Sequence, residues 1–332
     1  MLGAGHARDA IPVSETLSEW GACRLLFQRL LDFEGRDLYA RVLRPWLRAQ
    51  PQVGDWLRAL AASGPDPTPG ASHETLWNLY ALSRINDLLL QAFQPERGFG
   101  FKADAIDLSR AEYLAFAEAL GLSVAQRPRF SPFHHEIVGF EQSPYPAAPA
   151  TLRRERWPCL MLGTMLFSRA GVDIVAGVGF ARAETVERAP LYWAFVRRHR
   201  VAHDLSHGWG SNSQWSTEFR RDFHVDGEFR FNVDELRRLD RLGERAVDED
   251  GLSRRERIEL LTHRMFVLSE RDGEMYPYDD SYACADDFQP APMFAAALPA
   301  PGEGEGPATE PPTLPWLRRW RIGSDPERGR SG

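Results

Sequence analysis

The sequence predicts an α+β fold, with a helical N-terminal region followed by a mixed, mainly antiparallel sheet with packed helices. As far as about residue 121, apolar residues recur at three- and four-residue spacing, which is typical of amphipathic helices. Beyond residue 126, shorter apolar runs end at Gly or Pro, which favours strands. The dipeptide Asp226-Gly227 lies between alternating apolar residues and predicts a two-residue hairpin turn. Helices that precede strands in this way indicate an α+β chain.

The N-terminal helices are predicted from periodicity and from capping residues. Ser14 and Ser72 are expected helix starts, because a small oxygen-bearing side chain accepts hydrogen bonds from the first free N–H groups. A helix from Ser109 to Leu120 is expected to end at Gly121, which tolerates a left-handed C-terminal conformation. The periodic stretches are 20–33, 38–47, 72–93 and 109–120.

The second half of the chain is predicted to hold short strands and two further helices. Runs bounded by Gly or Pro predict strands, and longer periodic runs predict helices. The expected strands are 135–142, 159–171 and 172–181, with a hairpin around Asp226-Gly227, and the expected helices are 190–208 and 253–268.

Three regions follow from these patterns. Residues 1–125 form the helical region, and residues 126–284 form a β-rich region with helices that carries the candidate site. Residues 285–332 are rich in Pro and Gly and are expected to form a disordered tail, since such a composition buries little apolar surface.

The composition limits the classes of function. The net charge is −7, which gives no overall attraction to nucleic acid or to anionic lipid. The absence of a long apolar stretch argues against a membrane span or a signal peptide, and the three separated cysteines argue against a disulfide framework. Of the 40 basic residues 39 are arginine, which indicates a GC-rich, bacterial-type genome. We therefore expect a cytoplasmic protein with no membrane partner.

A stripe of histidines is the first candidate site. His199, His203 and His207 are spaced by four residues on the predicted helix 190–208 and so share one face. An i, i+4 pair of imidazoles can bind one metal ion, which predicts His203 and His207 as ligands of a divalent metal ion. The alternative is structural, since a histidine at a helix end can satisfy the last carbonyl groups.

A second cluster could complete such a metal site. His134 and Glu136 alternate along the predicted strand 135–142 and its approach and would share one face. Together with His203 and His207 they would complete a metal site of the two-histidine, one-carboxylate type. His134 is predicted as the third metal ligand and Glu136 as a catalytic group. Plain packing is the alternative for both. Asp204, His224 and Asp226 are reserve ligands, although the hairpin turn explains Asp226 better.

The polar segment after the histidine stripe is a candidate ligand-binding loop. Hydroxyl and amide groups stand there between two tryptophans, a mixture expected in ligand pockets. A tight loop anchored by two buried tryptophans would explain the same composition. The predicted ligand-binding residues are Trp209, Ser211, Asn212, Gln214 and Trp215.

Arginines provide the last candidate features. Arg220 and Arg221 follow the polar loop and are predicted to orient an anionic substrate in the catalytic site. Residues 151–200 carry nine arginines against four acidic residues, a pattern that usually forms a solvated face. An arginine-lined nucleic-acid interface is an alternative that the negative net charge disfavours.

These features support three hypotheses about function. The first is a small-molecule enzyme that depends on a metal held by histidines. The second is a non-catalytic interaction protein, such as an immunity-like or regulatory partner, since no complete catalytic motif is present. The third is the arginine-lined nucleic-acid binder. Neither the substrate nor the protein partner follows from the sequence.

Overall fold

The described residues from 19 to 119 are mainly helical, as predicted. The computed structural model describes residues 19–33, 35–63, 71–93, 106–188, 219–241, 251–270 and 280–287. Within these ranges the α-helices are α1 (Glu19–Asp32), α2 (Arg44–Ala49), α3 (Pro51–Ala62), α4 (His73–Leu89), α5 (Arg110–Ala119), α6 (Ala183–Arg188) and α7 (Arg254–His263). A π-helical turn (Tyr39–Leu43) precedes α2, and 3-10 turns lie at Leu90–Phe93 and Leu239–Arg241.

Side-chain caps fix the starts of α4 and α5. The Ser72 hydroxyl oxygen accepts a hydrogen bond from the backbone N–H of Thr75, as the sequence predicts. Ser109 and Glu112 form a reciprocal capping box, which satisfies two N–H groups at once. Gly121 follows α5 with φ at +85°, so the predicted glycine stop is confirmed.

The predicted helix 253–268 is correct at its start but too long at its end. Ser253 and Glu256 cap its first turn, and α7 then ends at His263 because Arg264 adopts a left-handed conformation with φ at 60°. The carboxylate of Glu259 accepts hydrogen bonds from the backbone N–H groups of residues 267–269 at 2.5, 2.6 and 3.2 Å. This buried carboxylate fixes the turn that follows the helix.

The strands form two mixed sheets with mostly antiparallel pairs, which confirms the predicted fold class. A seven-stranded sheet has the order β1-β4-β5-β7-β8-β10-β9, and a three-stranded sheet has the order β2-β6-β3. The pairs β2–β6 and β9–β10 are parallel. The strands are β1 (Ser123–Ala125), β2 (His135–Gln142), β3 (Thr151–Trp157), β4 (Cys159–Leu162), β5 (Met165–Ser168), β6 (Ala170–Ala176), β7 (Asp222–Val225), β8 (Glu228–Phe231), β9 (Arg237–Arg238) and β10 (Asp280–Ala285).

Two hairpins shape the larger sheet. The apolar run 159–171 divides into β4 and β5, because Gly163 turns the chain with φ at +60°. Asp226 and Gly227 both have positive φ between β7 and β8, so the predicted hairpin is confirmed.

The larger sheet is covered on both faces. From β4, Leu160 and Leu162 pack with the N-terminal helices, whereas Cys159 and Met161 pack with the three-stranded sheet and α7. This alternation follows from the two-residue period of a strand. Helices and strands therefore share one hydrophobic cluster, while the predicted boundary near residue 125 stays a prediction.

Several predicted elements lie outside the described residues. They are the helix start at Ser14, the helix 190–208 and nearly all of the tail 285–332. In the described ranges no helix is both long enough and apolar enough to cross a membrane.

Candidate functional site

A buried arginine lies where the two sheets meet. Arg169 stands between β5 and β6 and is only 1% exposed. Its carbonyl oxygen accepts a hydrogen bond from Trp157 Nε1 at 3.0 Å, and the N–H of Ala170 donates to the carbonyl of His134 at 2.8 Å. These bonds hold the backbone on both sides of Arg169 and place its side chain in the interior.

Three arginines converge on one buried carboxylate, that of Asp222 at the start of β7. Its Oδ1 accepts hydrogen bonds from Arg220 Nε and from the backbone N–H of Asn232, both at 2.8 Å. Its Oδ2 lies 3.3 Å from Arg264 Nη2 and 3.8 Å from Arg169 Nη2. Burial alone would raise the pKa of Asp222, but the three guanidinium groups outweigh it and hold that pKa below its usual value. Asp222 is thus the ionised centre of the cluster.

Of the three arginines around Asp222, Arg169 lies farthest from that carboxylate. Nε, Nη1 and Nη2 of its guanidinium have no hydrogen-bond partner among the described residues, and 3.8 Å to Asp222 exceeds hydrogen-bond length. Burial and the charge of Arg264 lower the pKa of Arg169, while Asp222 and Glu136 raise it only in part. Because arginine stays protonated in proteins, this shift marks a buried cation whose charge is poorly balanced.

Neutral histidines line the same region. His263, the last residue of α7, is fully buried, and burial lowers its pKa to about 3. Its Nε2 has no hydrogen-bond partner among the described residues. His135 accepts a hydrogen bond from the Ser131 N–H at Nδ1, and burial lowers its pKa to about 4. Both imidazole rings stack on Phe130. At neutral pH they add polarity to the site but no charge.

A chain of side chains leads from His134 to the surface. Arg127 Nε donates to His134 Nε2 at 3.4 Å, and Arg127 Nη2 donates to His224 Nδ1 at 3.0 Å. Because a guanidinium can only donate, His224 must carry its proton on Nε2, which donates to Asp286 Oδ2 at 3.1 Å. Burial, followed by the charge of Arg127, lowers the pKa of His134 to about 2. Both imidazoles thus accept hydrogen bonds from the same arginine.

The structure separates the predicted catalytic residues. Arg220 belongs to the cluster around Asp222, and Glu136 is buried on β2 near enough to affect Arg169. Arg221 instead forms a two-point ion pair with Asp234 at 2.8 and 2.5 Å. Of the two neighbouring arginines, only the first therefore reaches the buried cluster.

The described residues leave the predicted metal site untested. The described part of the chain contains no group of three or more His, Cys, Asp or Glu side chains that could hold a metal ion. In His134, Nε2 faces Arg127 and Nδ1 faces the Ser131 hydroxyl at 3.3 Å, so both nitrogens have partners. The divalent metal stays a prediction, because the other proposed ligands, His203 and His207, lie outside the described residues.

The predicted ligand-binding loop and the reserve ligand Asp204 also lie outside the described residues. The loop residues concerned are Trp209, Ser211, Asn212, Gln214 and Trp215.

Sequence reasoning missed the two central residues, Arg169 and Asp222. It counted Arg169 with eight other arginines as part of a solvated face, although Arg153 and Arg154 are exposed and Arg169 is not. The sequence position of Arg169 could have indicated its burial, since Arg169 interrupts a mostly apolar run between β5 and β6. A single charge within such a run is either buried or paired.

Comparisons with known proteins give no relative. No family model, no curated protein and no solved structure matches the chain. The function is therefore inferred from the site itself.

Proposed function

We propose that this is a small-molecule-binding protein that holds an anionic ligand against the guanidinium of Arg169. The observation that carries the proposal is a fully buried guanidinium whose nitrogens make no hydrogen bond to the described residues. A buried charge without hydrogen bonds costs several kcal/mol, and an anionic partner would offset that cost. Guanidinium groups bind carboxylate and phosphate oxygens through two parallel hydrogen bonds.

The neighbouring carboxylate does not fill this role. Asp222 already accepts hydrogen bonds from Arg220 and Asn232 on one oxygen and faces Arg264 on the other. Arg169 lies farther from it than any of these donors. Asp222 therefore makes no hydrogen bond to Arg169, and an incoming anion would supply the acceptors that this guanidinium lacks among the described residues.

The sequence context agrees with a ligand site at this place. The polar segment from Trp209 to Trp215 ends a few residues before Phe219 and the cluster residue Arg220 in the chain. Burial of the cluster favours a small molecule over a protein surface as the ligand. The reaction and the role of a metal stay predictions, and the proposal does not depend on either.

Thermal unfolding in the presence of small anions tests the proposal. Any ligand that binds only the folded state stabilises it, by about 2.7 kcal/mol at 100 times its dissociation constant. We expect at least one carboxylate or phosphate compound to raise the Tm of the wild type but not that of Arg169→Met.

Arg257→Met is the matched control. Arg257 is also a buried arginine, but it donates to Asp280 at 2.7 Å and lies in a separate ion pair. This variant should keep the ligand-dependent rise in Tm despite a lower starting Tm. Equal responses of the wild type and Arg169→Met to every anion would refute the proposed function.

A further inference from the structure

We propose that Trp157 is the positioning residue of the Arg169 site, because its indole holds the backbone of Arg169 and keeps the guanidinium from closing onto Asp222. This inference rests on the proposed function, since it says which residue keeps the buried guanidinium available to an anion. It follows from the hydrogen bonds of one peptide group, that between Arg169 and Ala170, whose carbonyl oxygen and N–H are both held.

Arg169 is the one residue between two strands that belong to different sheets. β5 ends at Ser168 in the seven-stranded sheet, and β6 begins at Ala170 in the three-stranded sheet. Arg169 has no partner in the strand registers of the described residues, so its carbonyl oxygen needs a donor from elsewhere. Trp157 Nε1 donates to this oxygen at 3.0 Å. The indole thus supplies a hydrogen bond that neither sheet provides.

The N–H of the same peptide group is also fixed. Ala170 donates this N–H to the carbonyl oxygen of His134 at 2.8 Å. Because the peptide group is planar, a rotation that moves one of its polar atoms moves the other as well. Any reorientation would therefore break a buried hydrogen bond, which is costly. The two bonds together determine the direction in which the Arg169 side chain leaves the backbone.

Close packing fixes the indole ring itself. Trp157 ends β3, is fully buried, and lies opposite Gly171 in the register with β6. A Cβ at position 171 would lie 2.4 Å from Cε2 and Cζ2 of the ring, so only a residue without a side chain leaves room for the indole there. The indole N–H is therefore aimed at Arg169 by a ring that cannot easily move.

A fixed backbone explains why the guanidinium of Arg169 makes no hydrogen bond to Asp222. The distance from Arg169 Nη2 to Asp222 Oδ2 is 3.8 Å. A shift of about 1 Å would bring the two atoms within hydrogen-bond distance. Such a shift would give the unpartnered guanidinium an acceptor, so it is favourable unless the backbone resists it. Without the indole bond, the guanidinium would approach Asp222 and would be less available to an anion.

Trp157→Phe removes the indole N–H but keeps an aromatic ring over Gly171. Trp46→Phe is the matched control, because Trp46 is also buried and donates its indole N–H to the backbone carbonyl oxygen of Ala22 at 3.1 Å. Both variants lose the same kind of hydrogen bond, so both should unfold at a lower temperature than the wild type. Only Trp157→Phe should change the behaviour of Arg169.

A double-mutant cycle in sodium chloride measures the effect on Arg169 without any ligand. Urea unfolding gives the stability change caused by Arg169→Met in the wild type, in Trp157→Phe and in Trp46→Phe. If the guanidinium approaches Asp222 once the indole bond is lost, Arg169→Met should destabilise Trp157→Phe more than it destabilises the wild type. Its effect in Trp46→Phe should equal its effect in the wild type. Additive effects of Trp157→Phe and Arg169→Met would overturn the inference.

Thermal unfolding with sodium formate and with sodium phosphate measures the effect on anion binding. The ionic strength is matched with sodium chloride, and the measured quantity is the rise in Tm minus the rise in Arg169→Met, which removes general salt effects. For an anion that gives such a rise in the wild type, we expect Trp157→Phe to lower the apparent affinity about tenfold or more. Trp46→Phe should leave the apparent affinity unchanged.

The two measurements separate this inference from the proposed function. An anion response that Trp157→Phe retains in full would refute the inference and leave the proposed function in place. Coupling between Trp157 and Arg169 in chloride, without an Arg169-dependent response to any anion, would refute the proposed function but support the placement of Arg169 by Trp157.

Discussion

The substitution Asp222→Asn removes the central negative charge of the buried cluster. Asp222 is completely buried and lies within 4 Å of Arg169, Arg220 and Arg264. An asparagine keeps one acceptor oxygen, but its amide group would direct N–H donors at cationic groups. Removal of one partner of a buried ion pair costs about 3–5 kcal/mol, and we expect a loss in this range.

Urea unfolding followed by far-ultraviolet circular dichroism measures this loss. The control is Asp234→Asn, which weakens the ion pair with Arg221 outside the cluster. Asp234 is more exposed than Asp222, so its hydrogen bonds to a charged partner should account for about 1.5 kcal/mol. The reasoning is wrong if Asp222→Asn destabilises the protein no more than the control does.

Three further predictions concern other buried groups and the metal. In the folded protein the pKa of His263 is about 3, below its unfolded value of 6.5, so protonation of the unfolded state removes stability as the pH falls from 6.5 towards 3. His263→Phe should keep the stack on Phe130 and make the free energy of unfolding fall less steeply with acid, by about 1.4 kcal/mol per pH unit in urea unfolding. An unchanged pH dependence would contradict the assignment. Glu259→Gln should destabilise α7 and its following turn by about 1.5–3 kcal/mol, because a neutral amide replaces a carboxylate that binds three N–H groups; a loss below about 0.5 kcal/mol in urea unfolding would contradict this. The predicted metal should appear in elemental analysis of untagged wild type and be absent from the double variant His203→Ala/His207→Ala, whereas equally negligible metal in both would refute it.

The sequence predicted the fold well where local signals were strong. The helix caps at Ser72, Ser109 and Ser253 and the turn at Asp226-Gly227 act within a few residues, so their patterns determine the local structure. The end of α7 was predicted too late, because it depends on Arg264 and on the contact from Glu259 to the later backbone. Such a contact between side chain and backbone leaves no periodic signal.

The candidate site was less predictable because it depends on long-range contacts. Arg169 and Asp222 are 53 positions apart in the sequence, and the folding of β5 against β7 brings them together. Sequence reasoning did identify arginines next to a polar loop as anion-binding groups, and Arg220 does lie in the cluster. It could not show which arginine is buried without hydrogen bonds, since burial follows from the pairing of the sheets.

The most direct test of the Arg169 site compares the free energy of unfolding of wild type and Arg169→Met in two buffers of equal ionic strength. In chloride, the methionine variant should be as stable as the wild type or more so, because it replaces a poorly balanced buried cation by an apolar side chain of similar length. In formate, the wild type should become the more stable of the two, since the bound anion stabilises only a folded state that carries Arg169. A stability difference that is the same in both buffers would contradict the anion site.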